Sequence, residues 1–106
     1  MTLASRAYYN YNKPVIVWDE RKRASNLAKH GLDFADAWRV YESPSKLTFE
    51  SARKSEDRRL DLAPVEDVLL AFVYVERGSV VRAISLRRAS RAERRIHEKA
   101  IKKESH

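Results

Sequence analysis

The stretch Val68-Leu69-Leu70-Ala71-Phe72-Val73-Tyr74-Val75 is a nearly continuous apolar run, and the fold class follows from it. Such a run is too short to cross a membrane, and its Val, Phe and Tyr content is typical of a buried strand. Arg77-Gly78 follows as a turn, and residues 79–86 then alternate. In that alternation Val81, Ala83 and Ser85 face opposite Val80, Arg82, Ile84 and Leu86. The two segments predict a β-hairpin.

Two more alternating segments precede the hairpin. Residues 46–50 (Lys-Leu-Thr-Phe-Glu) and 58–62 (Arg-Arg-Leu-Asp-Leu) switch between polar and apolar side chains, as half-buried strands do. The polar residues 51–57 between them predict a loop. Together with the hairpin, these segments predict a meander of about four antiparallel strands.

Helical spacing appears on both sides of the meander. Asp19 is a good N-cap for a first helix, which Gly31 ends, and Asp33 begins a second helix, which Ser43-Pro44 ends. Asp36 stands in a capping-box-like position of the second helix. Ser90-Arg91-Ala92-Glu93 fits a capping box for a third helix. Its narrow apolar stripe comprises Ala92, Ile96, Ala100 and Ile101.

The predicted order is therefore ααββββα, an α+β fold with an antiparallel sheet packed against helices on one side. Residues 15–106 form a single domain in this interpretation, beginning with the short apolar run of residues 15–18. Residues 1–14 are interpreted as a flexible arm with room for a short extended piece. Its tyrosines, Tyr8, Tyr9 and Tyr11, are of a type that stacks on bases or on a partner protein, but an unstructured arm is favoured.

Length and composition exclude several classes of protein. A chain of 106 residues is one domain, and its zero cysteines exclude disulfides, thiolate nucleophiles and zinc clusters. The three histidines, His30, His97 and His106, are too scattered for a metal motif, so no metal and no cofactor are expected. Since the chain has neither a membrane-length apolar run nor a secretory signal, we expect a soluble cytoplasmic protein without a membrane partner.

The positive charge is concentrated in one segment. The chain has a formal net charge of +7. Residues 80–103 contain nine Arg and Lys against two Glu, which accounts for the whole excess. Such a patch is expected for a protein that binds a polyanion such as nucleic acid, or an acidic protein. The alternative is a basic helix face that is merely solvated.

The junction between the last strand and the last helix is the strongest candidate anion site. Arg87 and Arg88 meet a helix N-terminus there, and backbone N–H groups and guanidinium forks both suit phosphate oxygens. The alternative is that Arg87 and Arg88 form ion pairs with acidic side chains.

Two histidines are candidates for acid–base chemistry. Cleavage of RNA without a metal needs a base for the 2′-hydroxyl, an acid for the leaving oxygen and cations for the phosphorane. His30 ends the first helix, where an imidazolium also interacts favourably with the helix dipole. His97 either points at the same cleft as Arg94 or packs as a half-buried residue.

Two sequence blocks resemble a known family, the BrnT bacterial toxins. The opening block is Val17-Trp18-Asp19-Glu20, Lys22, Asn26, Lys29-His30-Gly31, Phe34, Ala37 and Val40-Tyr41-Glu42-Ser43-Pro44. The closing block is Arg82-Ala83-Ile84-Ser85-Leu86-Arg87-Arg88-Ala89 with Glu93-Arg94-Arg95. The resemblance runs from about Val15 to Glu98, and it is fairly specific because the blocks fall in the right order around the expected strands.

The resemblance implies a RelE-like fold and a ribonuclease toxin of a type II toxin–antitoxin system. Such a toxin cleaves mRNA and arrests translation. A BrnA-like ribbon-helix-helix antitoxin neutralises it, and the pair binds operator DNA through the antitoxin. The catalytic residues implied or suggested are His30, Arg58, Arg82, Arg94 and His97. The residues expected to bind RNA are Arg87, Arg88, Arg91 and Arg95.

The sequence also allows a second function, that of a binding module. The chain has His97 where relatives tend to have Tyr, and Ala63-Pro64 where a Gly is usual. These departures favour a module without catalysis, which binds nucleic acid or its antitoxin and acts as an operon co-repressor. Growth arrest on expression without the antitoxin would separate the two hypotheses.

Overall fold

The computed structural model of the protein describes residues 6–8, 15–53 and 56–104. In chain order the described elements are β1 (Arg6–Tyr8), β2 (Val15–Trp18), α1 (Glu20–His30), a 3-10 turn (Phe34–Asp36), α2 (Trp38–Tyr41), β3 (Leu47–Arg53), β4 (Glu56–Val65), β5 (Val68–Arg77), β6 (Val80–Arg88) and α3 (Arg91–Glu104). The predicted α+β class is confirmed. The predicted order of two helices, four strands and a closing helix is also present, preceded by two short strands.

The strands form one sheet in the order β1-β2-β6-β5-β4-β3. The predicted meander of four antiparallel strands is confirmed in β3 to β6. The sheet as a whole is mixed, because β2, which the sequence showed only as a short apolar run, pairs parallel with β6. Periodicity cannot reveal this pairing, since the partners Val17 and Arg82 are far apart in the sequence. Of the predicted arm, the described residues Arg6–Tyr8 pair antiparallel with β2, and the rest, including Tyr9 and Tyr11, lies outside the described residues.

The predicted loop over residues 51–57 is mostly strand. β3 continues through Arg53 and β4 begins at Glu56, with Ser51 opposite Arg58 and Ala52 opposite Asp57. Backbone hydrogen bonds define a strand, and polar side chains are tolerated where the hairpin extends beyond the core. The prediction of a loop, which rested on polarity alone, is therefore wrong where β3 and β4 pair.

The central hairpin is confirmed, but a β-bulge changes its facing pattern. Val73 pairs with Ser85 and Tyr74 pairs with Ala83, so Ile84 is the extra residue on β6. An extra residue shifts the alternation by one position beyond the bulge. Leu86 is therefore fully buried on the same face as Val81 and Ala83, not opposite them as predicted.

The predicted helix ends at Asp19, Gly31 and Ser90 are confirmed. The Asp19 carboxylate accepts from the Arg21 N–H at 2.8 Å, and Gly31 adopts the left-handed conformation (φ +71°) while its N–H donates to Leu27. The predicted second helix is divided into the 3-10 turn and the single-turn α2. Asp33 still caps the first turn as predicted, because its carboxylate accepts from the Ala35 N–H at 2.9 Å.

The sheet buries two unequal clusters. The larger lies between the sheet and the segment that contains the 3-10 turn and α2, and we call that side the core face. Its strand residues include Ile16, Phe72, Tyr74 and Val81. The other side, which we call the open face, carries Leu60, Leu62, Ala71 and Val73; its cluster comprises Leu62, Ala71 and Ala89.

The sequence predicted that the helices pack on one side of the sheet. In the structure α3 lies on the opposite side from α2. On α3, His97, Ala100 and Ile101 line a cavity with Leu47 and Pro64, which belong to the open face. No residue of α3 is buried. The apolar stripe of this helix is too narrow to form a core. The helix covers only the end of the open face where Leu47 and Pro64 lie. No helix in the described part of the chain is long and apolar enough to span a membrane.

Candidate functional site

A cavity of about 170 Å³ lies between α1 and β6. Its lining is polar and basic, and we call it the α1–β6 cavity. The lining residues are Lys22, Ser25, Asn26, Lys29, His30, Ile84 and Ser85. Two ammonium groups and an imidazole in one concave site make it a candidate for binding an anion.

Asn26 explains how α1 is held beside β6. Its side chain is buried, and its Nδ2 donates to the Leu86 carbonyl at 2.8 Å and to the Leu32 carbonyl at 3.1 Å. Its Oδ1 accepts from the Leu86 N–H at 3.2 Å. The pairing of β2 with β6 covers residues 80–82, so Asn26 continues the hydrogen bonding of β6 where that pairing stops. The adjacent bulge brings both Ile84 and Ser85 to the cavity wall.

Arginines form a row on the open face. Val75 pairs with Arg58 on β4 and with Arg82 on β6, so the two arginines flank it on neighbouring strands. With strands about 4.8 Å apart, their backbones lie about 10 Å from each other. Val75 is only 3% exposed although it belongs to neither core cluster. Arg87, opposite Ala71, lies on the same face further along β6.

The arginine row and the α1–β6 cavity adjoin at Ser85. This residue pairs with Val73 on the open face and also lines the cavity that contains His30. It follows Arg82 by three residues and precedes Arg87 by two. The structure therefore places His30, Arg82 and Arg87 along one segment of β6, and it places Arg58 two strands away on the same sheet face as Arg82.

The junction of β6 and α3 already contains a carboxylate. Arg87 makes two hydrogen bonds to Glu93, at 2.8 Å and 3.0 Å, which is the ion pair that the sequence left as an alternative. Glu93 also accepts from the Ser90 N–H at 2.7 Å, and the Glu93 N–H donates to Ser90 Oγ, which completes the capping box. The Arg87 hydrogen bonds lower the pKa of Glu93 to about 2. A phosphate at this helix N-terminus would have to compete with a side chain that is ionised at neutral pH.

The remaining predicted residues lie on or near α3. Arg94 donates to the Ala89 carbonyl at 3.0 Å, while Arg88, Arg91 and Arg95 are exposed. His97 lines a second cavity of about 80 Å³, together with Ser45, Leu47, Pro64, Ala100, Ile101 and Glu104. The structure thus puts His30 and His97 in different cavities and does not make them an acid–base pair.

Sequence reasoning missed three cavity residues, Lys22, Lys29 and Ser85. The two lysines had a signal in the sequence, because Lys22, Asn26 and Lys29 follow helical spacing and share one face of α1 with Ser25. Ser85 had no comparable signal, since its position depends on the bulge.

A polar cluster on the core face was also missed. Asp61 is fully buried, with Lys46 Nζ at 2.9 Å, Thr48 Oγ1 at 2.7 Å and the Tyr74 hydroxyl at 3.1 Å. Burial, followed by the nearby Asp61, raises the pKa of Tyr74 well above its ordinary value. The cluster connects β3, β4 and β5 through satisfied hydrogen bonds, so we assign it a structural role.

The titratable side chains that line the α1–β6 cavity are two ammonium groups and one imidazole. Over residues 6–8, 15–53 and 56–104, no group of three His, Asp or Glu side chains could hold a metal ion. Guanidinium and ammonium groups bind phosphate oxygens, whereas carboxylates are the usual ligands of hard cations such as Mg²⁺.

The comparison with family models identifies the chain. Residues 18–93 match the family described as the ribonuclease toxin BrnT of type II toxin–antitoxin systems. A search of curated proteins found no match. The matched range includes His30, Arg58, Arg82 and Arg87 and ends at Glu93, before His97. Because this range covers well over half of the sequence, the chain belongs to the BrnT family of ribonuclease toxins of type II toxin–antitoxin systems.

Proposed function

We propose that the protein is an endoribonuclease that cleaves single-stranded RNA without a metal ion, where the α1–β6 cavity meets the open face. The observation that carries the proposal is the position of Ser85, which lines the cavity with His30 and belongs to the same sheet face as Arg82. An imidazole and a pair of guanidinium groups therefore lie on the two sides of one strand segment. Cleavage of a phosphodiester needs this combination of a base and cations.

In the proposed reaction, neutral His30 accepts the proton of a ribose 2′-hydroxyl. The oxygen attacks the adjacent phosphorus, and the bond from phosphorus to the 5′-oxygen breaks. An ammonium group of the same cavity, Lys22 or Lys29, donates the proton that the leaving oxygen needs. The products are a 2′,3′-cyclic phosphate and a free 5′-hydroxyl. The chemistry requires no metal, because charge on the phosphorane is balanced by cations of the protein.

Arg58 and Arg82 are assigned to the phosphate. Their side chains extend from strands on either side of Val75 and are long enough to converge on one phosphate group. Bidentate guanidinium groups match the geometry of phosphate oxygens and stabilise the charge that develops during attack. Arg87 contributes less in this proposal, because Glu93 already neutralises it.

The test is cleavage of a fluorescent single-stranded RNA by the purified protein in excess EDTA. We expect cleavage to continue and the products to carry 2′,3′-cyclic phosphate. His30→Gln should lower the rate about 100-fold or more, as expected for the loss of a general base. Cleavage that stops with EDTA and returns with magnesium would refute the metal-free reaction.

His97→Gln is the matched control, since it removes the same side chain from the other cavity. We expect this variant to retain a rate close to that of the unaltered protein. Circular dichroism must give the same melting temperature for both variants, so that folding is not the cause of any difference. If His97→Gln is inactive and His30→Gln is active, the assignment of the base is wrong.

In the cell, we propose that the substrate is mRNA and that its cleavage inhibits translation. A ribbon-helix-helix antitoxin of the BrnA type would neutralise the toxin, and the pair would repress its own operon at operator DNA. The exposed basic surface of α3 supports an acidic or amphipathic partner, since Arg91, Arg95, Lys99 and Lys102 are all exposed.

The ion pair between Arg87 and Glu93 favours one alternative, a binding module without catalysis. A resident carboxylate at the predicted anion site is compatible with a protein that only holds its antitoxin. Expression in bacteria without the antitoxin separates the two functions. Growth arrest that His30→Gln abolishes supports the nuclease, and unaffected growth supports the binding module.

A further inference from the structure

Phe49 is an exposed aromatic residue on the open face. It is 39% exposed, and it lies on β3 directly opposite Leu60. Leu60 in turn pairs with Val73, and Val73 pairs with Ser85. Phe49 therefore begins a cross-strand row that ends at the α1–β6 cavity.

This row runs beside the row of arginines. Arg58 precedes Leu60 by two residues on β4, so the two rows are about 6.7 Å apart along the strands. Phe49 and Arg58 are diagonal neighbours on one face, a position from which aromatic and long side chains can contact each other across about 7–8 Å. An aromatic ring and a guanidinium group thus stand side by side on the sheet.

The charged residues nearest to Phe49 on the open face are arginines. From Arg58 onward, the charged residues that β4, β5 and β6 place on this face are all arginines. They are Arg58, Arg77, Arg82 and Arg87. A surface that combines an exposed aromatic ring with neighbouring cations matches both parts of a single-stranded nucleic acid, whose bases stack and whose phosphates are negative.

We propose that Phe49 is a base-stacking residue that helps to determine which RNA is bound. The inference rests on the proposed nuclease function and adds a subsite to it. Phe49 lies three strands from Ser85, about 14 Å at the usual strand spacing, so the base that stacks on its ring belongs to a nucleotide one or two positions from the cleaved phosphate, while Arg58 contacts the backbone between them. Because the faces of a base inside a duplex are covered by the bases stacked above and below it, the subsite selects single-stranded RNA.

The experiment measures binding separately from cleavage. The probe is a 2′-O-methyl hexanucleotide, which lacks the nucleophile, and a set of variants in which one base at a time is removed. With the unaltered protein, removal of one particular base should weaken binding about fivefold or more, as for other base–aromatic stacks. With Phe49→Ala, the intact probe should bind as weakly as that abasic probe, and removal of the same base should have no further effect.

Two variants control the experiment. Phe49→Trp should retain the sensitivity to base removal, because a larger aromatic ring still stacks. Val68→Ala removes an equally exposed apolar side chain, 38% exposed, from the core face, and it should leave binding unchanged. The inference is wrong if the abasic probe loses as much affinity with Phe49→Ala as with the unaltered protein. It is also wrong if Phe49→Ala weakens only antitoxin binding, since the open face is then a protein-docking surface.

The same proteins separate this inference from the nuclease function. If the protein binds the probes in a manner that depends on Phe49 but does not cut RNA, the proposed nuclease function fails and the stacking subsite stands. If the protein cuts RNA and needs His30, but Phe49→Ala does not change the abasic pattern, only the stacking subsite fails.

Discussion

At the scale of single residues, Glu93 makes stability depend on pH. Its pKa is lowered from an ordinary 4.5 to about 2 because Arg87 hydrogen-bonds to its carboxylate. The ionised form is therefore stabilised by folding, fully above pH 4.5, and that stabilisation is lost as the pH falls toward 2. We expect Glu93→Gln to lower the free energy of unfolding by about 1–2 kcal/mol at pH 7 and by much less near pH 2.

Urea unfolding at a series of pH values measures this difference. Glu98→Gln on the same helix is the control, since Glu98 is exposed, and it should change stability little at any pH. A constant difference between Glu93→Gln and the unaltered protein from pH 7 to pH 2 would contradict the ion-pair explanation.

Asn26 holds α1 against β6 and so shapes the α1–β6 cavity. Replacement by Ala leaves the Leu86 N–H and carbonyl without their side-chain partners, and we expect a loss of about 2–3 kcal/mol in the free energy of unfolding. Hydrogen exchange should show faster exchange of the Leu86 amide in particular. A variant that keeps both its stability and the protection of this amide would refute the role of Asn26 in positioning α1.

At the scale of elements, α3 is exposed on more of its surface than a core helix. Ile96 and Ile101 are 46% and 50% exposed, and no residue of the helix is buried. We therefore expect Ile96→Ala and Ile101→Ala to cost less than about 1 kcal/mol of stability, well below the usual core value. If the antitoxin covers this helix, the same substitutions should weaken antitoxin binding at least tenfold in calorimetry.

Hydrogen exchange with and without the cognate antitoxin tests the same surface. Protection between Arg82 and Lys103 is expected, because the positive charge of the chain is concentrated there. Protection that is confined to α1 and α2 would mean that the antitoxin inhibits from the other side of the sheet.

At the scale of the whole molecule, the positive charge should control the salt dependence of RNA binding. Each phosphate contact with a single strand contributes about 0.7 to the slope of log affinity against log salt. Arg88 is exposed, so Arg88→Gln should reduce the slope by about that amount if Arg88 contacts RNA. Arg87→Gln should reduce it by less, because Glu93 already neutralises Arg87. Equal changes for both variants would show that RNA displaces Glu93.

Local signals predicted the helix ends, the central hairpin and the basic segment. Asp19, Gly31 and the pair Ser90 and Glu93 act through contacts with near neighbours, so their roles can be derived from spacing alone. The RelE-like character of the fold stays a prediction, and so do the catalytic roles of the individual side chains.

The sequence by itself determined the α+β class, the order of the main elements, the site of the excess charge and the family. These properties depend on periodicity, composition and motif order, which act over a few residues or add along the chain. Only the tertiary structure decided that β2 lies parallel to β6, that the bulge at Ile84 puts Ser85 on the open face and in the wall of the cavity that contains His30, and that Arg58 and Arg82 flank Val75. Each of these depends on the register between strands distant in the sequence, because a shift of one residue reverses every side chain to the other face.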